Sequence, residues 1–238
     1  MSKADLDRIR EHYGALRDGE LLRAAVGEGG TLVASAQEVV RDVVQQRLGA
    51  PADLVQSERR RTGRLWGRIG QVQTFSRLRG PNEPVLGGRD VPPYDGMILL
   101  TDQGLGFVPS SPPALTELFP TLPEPDQGPM GDWWTSLLDA AAIPEDLRTT
   151  QSVFRLPLCL RARLDPSSAW IALGDLERLD LRGLDLRVVV SGAGDAVCRV
   201  PEPAPEFLGR WGTQLGVTLQ DRADEGVRSR VRGWLRRD

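Results

Sequence analysis

The chain is poor in the residues that most often carry chemistry. Among 238 residues there is one His, two Cys and a single Lys, and aromatics make up only 5%. Cys159 and Cys198 stand too far apart for a zinc pattern or a Cys-x-x-Cys redox pair. With His12 as the only imidazole, a Ser-His-Asp or Cys-His pair would need the first helix folded into an active-site mouth. No Gly-Lys-Ser/Thr phosphate loop is present, and Gly192-Ala193-Gly194 lacks the third Gly and the helix of a dinucleotide loop. The carboxylate pairs Glu124/Asp126 and Glu145/Asp146 sit beside prolines and read as solvated charge. These absences argue against an enzyme, a bound metal and a nucleotide cofactor. No run approaches the ~18 apolar residues of a membrane span, and no apolar leader follows Met1. A cytoplasmic protein with two buried free thiols is the expectation.

What the chain does have is punctuation and Arg. The 26 Gly and 18 Pro favour short strands and turns over long helices. The net charge of −3 gives no global field toward nucleic acid, but the charge is unevenly spread. Val55–Gly80 holds seven Arg against Glu58, a net of +6, and Pro81–Thr150 holds eleven acids against Arg89 and Arg148, a net of −9. The run Arg59-Arg60-Arg61 suits nucleic acid, an anionic surface, or that acidic stretch of its own chain. Only Trp66 is interleaved with it, which disfavours nucleic acid.

Helical spacing opens the chain. Leu6, Ile9, Tyr13 and Leu16 mark one helix, and Asp18 is placed to cap a second through Leu21, Leu22, Ala25 and Val26. A third runs from Ala36 to Leu48 and stops at Gly49 and Pro51. Residues 1–52 therefore form a small helical unit that must pack on something else. Residues 53–66 read as an Arg-rich linker or a solvated helix end, with a strand starting near Ile69.

The clearest hairpin is Asp95–Pro109, where Met97–Leu100 and Leu105–Val108 flank Thr101-Asp102-Gln103-Gly104, with Gly104 expected at positive φ. Pro112, Pro113, Pro120, Pro123, Pro125 and Pro129 then break residues 110–150 into an acidic insertion, expected to lie over the sheet. Its helices are expected over Leu115–Phe119 and from Asp132 to Ala142, the second with the stripe Trp133, Trp134, Leu137 and Leu138. Strands are expected at Val153–Leu158, Ala169–Leu173, Leu176–Leu181, Leu184–Ser191 and Val197–Pro201, followed by an amphipathic helix over Pro205–Leu215.

Two resemblances follow. Tyr13-x-x-Leu16-x-Asp18-x-Glu20-Leu21-Leu22, with Arg47-Leu48-Gly49, resembles a short helical segment of bacterial proteins of unknown role. The pattern Gly96–Phe107 and the later Ile171–Leu179, in a series of strands ended by one helix, resembles pleckstrin-homology-like domains of the GRAM and bacterial type. This resemblance implies an α+β chain with an antiparallel β-barrel or sandwich over residues 67–217, interrupted at 110–150 and closed by a C-terminal helix. It also raises phosphoinositide binding, but the corresponding loop sets Arg77, Arg79 and Arg89 against Glu83, Asp90 and Asp95.

Residues 218–238 form a basic tail in which Val227, Val231, Trp234 and Leu235 recur at helical spacing. Around them stand Arg228, Arg230, Arg232, Arg236 and Arg237. Arg228, Arg230, Arg232, Trp234, Arg236 and Arg237 are the candidate site, for a partner protein or an anionic membrane, unless the tail packs on its own domain. The function expected is a non-catalytic module that binds another protein or itself through a sheet edge or the insertion. The alternative is a peripheral membrane protein using the tail.

Overall fold

In a computed structural model the chain is α+β, and the structure describes residues 1–74, 95–110, 128–145, 148, 156–165, 167–192 and 194–221. It divides into two compact units, each drawn from two stretches of sequence. Residues 1–62 with 112–167 make a helical unit, and 63–111 with 168–238 make a β unit.

The helical unit begins with α1 (Lys3–Ala15). Ser2 Oγ accepts from the Asp5 amide at 3.2 Å and the Asp5 carboxylate accepts from the Ser2 amide at 3.0 Å, a reciprocal cap on two orphan donors. In α2 (Asp18–Gly27) the cap position falls on Arg17 rather than Asp18, because Glu20 takes the Arg17 amide at 3.1 Å. The third helix, α3 (Ala34–Leu48), stops where Gly49 takes φ +91°, and Pro51 opens α4 (Pro51–Thr62) in the first-turn position that needs no amide donor. Residues 53–62 are thus not a linker. Leu54, Val55 and Glu58 bury one face of α4, and the Arg run lies at its end.

The remaining helices come from the second stretch: α5 (Pro129–Ala140) and α6 (Leu158–Leu164). The Gln37 side chain of α3 places the start of α5, accepting from the Met130 amide at 3.2 Å while donating to the carbonyls of Gly30 (3.2 Å) and Leu32 (2.8 Å). Met130, Trp133, Trp134, Leu137 and Leu138 lie in one core with Leu21, Leu22, Val40, Val44 and Leu54. The described part of the insertion is therefore core of the helical unit. Its stripe signalled burial, but helices α2, α3 and α4 of the first stretch supplied the partner. Of the strand expected at Val153–Leu158, Leu156 and Pro157 are not in a strand and Leu158 begins α6, while residues 151–155 lie outside the described residues. So do the helix expected at Leu115–Phe119 and the tail 222–238.

The β unit carries β1 (Leu65–Thr74), β2 (Asp95–Thr101), β3 (Gly104–Pro109), β4 (Ala169–Ala172), β5 (Leu176–Arg182), β6 (Asp185–Val190), β7 (Gly194–Arg199) and β8 (Leu219–Asp221). They form one sheet in the order β4-β3-β2-β1-β7-β6-β5-β8. Every pairing is antiparallel except the parallel addition of β8 to β5. The sheet is not closed into a barrel; β4 and β8 are its two edges. β1 begins at Leu65, ahead of the expected Ile69, and is bulged between Leu65 and Gly67 and between Ile69 and Val72, where Gln71 takes φ 55°.

The hairpin register, Met97 opposite Val108 and Leu100 opposite Leu105, is as the apolar alternation requires. Its turn is closed differently from expectation. Gly104 is not among the positive-φ glycines. Instead the Thr101 hydroxyl accepts from the amides of Gln103 and Gly104, both at 3.1 Å, and Asp102 accepts from the Arg64 amide at 2.8 Å. Gly104 is required because a Cβ there would run into the Ile171 carbonyl and the Trp170 ring.

After β7 comes α7 (Ala204–Leu215), ended by Gly216 at φ 71°. Its Ala204, Leu208 and Trp211 share a core with Ile69, Ile98, Leu105, Leu179, Val188 and Cys198. Trp211 is fully buried, and its Nε1 donates to the Thr101 carbonyl at 3.0 Å. One helix thus fills the apolar face of the sheet.

Candidate functional site

Chemistry-bearing side chains gather in two places, one in each unit. In the helical unit, Glu58 is 2% exposed on α4. Its Oε1 lies 2.9 Å from Arg61 Nη1 and 3.1 Å from Arg163 Nη2 of α6. One turn on, Thr62 Oγ1 accepts from the Cys159 amide at 3.2 Å and lies 3.3 Å from Cys159 Sγ. Arg23 donates to the Arg163 carbonyl at 2.7 Å, and Arg59 to the Ala141 carbonyl at 3.1 Å. Arg59 and Arg61 of the run thus bond groups of their own unit while both stay exposed. Arg61 pairs with Glu58 of its own helix.

A thiol beside two guanidiniums invites a nucleophile reading, but burial decides otherwise. It pushes Cys159 up to about 11, with the Thr62 hydrogen bond opposing, and Cys198 in the sheet core up to about 12. Thiols held protonated at neutral pH are poor nucleophiles. The cluster ties α6 to α4 and α2.

In the β unit an aromatic pair reaches the surface where β1 begins. Trp66 and Phe207 of α7 have ring centroids 4.8 Å apart and planes tilted by 58°. Trp66 Nε1 donates to Gln214 Oε1 at 2.7 Å, and the Arg210 guanidinium stands 6.0 Å from the Phe207 ring centre. Gly67 makes this arrangement fit, since a Cβ there would strike the Phe207 ring. Leu65, the residue before Trp66 in β1, is 56% exposed. The sequence reading passed over this group. Phe207 and Arg210 stand three apart on one helix, and Gly67 directly follows a Trp; both signals were legible.

On the solvent-facing side of the strands, charges cancel locally. Arg199 meets Asp185 at 3.0 Å and Arg187 pairs with Asp195 across β6 and β7, while Arg178 reaches the buried Asp180 at 3.0 Å.

Of the sites expected from sequence, Arg228, Arg230, Arg232, Trp234, Arg236 and Arg237 lie outside the described residues, as do Arg77, Arg79 and Arg89. His12 sits on α1 edge-on to Tyr13, centroids 5.3 Å apart. Among the described residues no three His, Cys, Asp or Glu side chains cluster as metal ligands, and no helix is long and apolar enough to cross a membrane. No family model, curated protein or solved structure matches the chain, so its own geometry carries the functional reading.

Proposed function

We propose that the chain is a non-catalytic protein-interaction module whose β unit is a pleckstrin-homology-like domain. Supporting the domain reading, strands β1 to β4 and β5 to β7 form two antiparallel meanders joined by the pairing of β1 with β7, and one helix follows directly and packs on the apolar face. The interaction reading is carried by the surface of Trp66, Phe207 and Arg210, with Leu65 exposed one residue before Trp66 in β1. Trp and Arg dominate binding hot spots, and the half-buried aromatic pair, with the exposed Leu65 that precedes Trp66 in β1, supplies apolar area to desolvate. The partner is another protein or a second copy of the chain.

The test compares the full-length protein with its Leu65→Asp variant. Leu65 is exposed, so the substitution is expected to change stability by no more than about 0.5 kcal/mol. Sedimentation at rising concentration reads self-association, and affinity capture from native extract reads a partner at fixed stoichiometry. Loss of one of these in Leu65→Asp supports the proposal, and identical behaviour of the two proteins overturns it. Recovery only with membranes, abolished by Arg236→Glu with Arg237→Glu, would replace it with anionic-lipid binding through the tail.

A further inference from the structure

No further inference is drawn: the strongest candidate, the buried Glu58–Arg61–Arg163 cluster beside Cys159 in the helical unit, belongs to the α4–α6 packing already described, and no group facing Glu58 Oε2 indicates a ligand.

Discussion

At the residue scale, two glycines separate close approach from conformational freedom. Gly104 has no room for a Cβ against the Ile171 backbone, whereas a Cβ on the exposed Gly174 would meet nothing within 4 Å. Gly104→Ala is expected to lower stability by about 1–3 kcal/mol through overpacking, and Gly174→Ala to leave it nearly unchanged. Urea denaturation of both variants checks this; equal costs would refute the close-approach account. The two thiols give a pH dependence. Free thiols titrate near 8.5, while Cys159 and Cys198 in the fold are pushed up to about 11 and about 12. As pH rises above ~8.5 the unfolded chain loses these protons first, so stability is complete below that pH and declines toward the folded values. By pH 9.5 the loss is about 1 kcal/mol per thiol. Denaturation midpoints measured from pH 7.5 to 9.5 should fall, and Cys198→Ala should flatten the decline.

At the element scale, α4 and α6 show what the sequence could and could not disclose. Leu158, Leu160, Ala162 and Leu164 alternate with Cys159, Arg161 and Arg163, a period-two pattern that suits a strand. The segment folds instead as a helix buried nearly all round, its Arg163 taken up by Glu58. The Arg-rich end of α4 looked solvated because Glu58, its buried anchor, has its partner more than a hundred residues away. Breaking that anchor tests the assignment. Glu58→Ala leaves Arg163, only 15% exposed, without its acid, and is expected to cost roughly 3–5 kcal/mol. Arg61→Ala removes a half-exposed partner and should cost under ~1 kcal/mol. Thermal unfolding of the pair reads the difference, and similar costs would mean the cluster carries no stability. Strands β2 to β6 and helix α7 were legible, because apolar alternation or a helical stripe, bounded by Gly and Pro, specifies each locally. The membership of α5 was not legible: Trp133, Trp134, Leu137 and Leu138 announce a buried face without naming what buries it.

At the scale of the whole molecule, the helical unit is discontinuous. Half of its buried core comes from residues 1–62 and half from 130–164. A fragment of residues 1–62 is therefore expected to show weak helicity and no cooperative melting by circular dichroism, and a peptide of residues 128–167 to restore both. Cooperative unfolding of the first fragment alone would overturn this view of the unit.

The same split sets a schedule for the nascent chain. About a hundred residues lie between Thr62 and Leu164, so at ~5–20 residues per second helices α1 to α4 spend roughly 5–20 s outside the ribosome before α6 has been made. Throughout that interval Leu21, Leu22, Val40 and Val44, fully buried in the finished protein, have only each other to cover them. Translation arrested between residues 63 and 128 leaves this apolar face uncovered, and an arrested chain is substrate for a holding chaperone rather than a finished N-terminal domain.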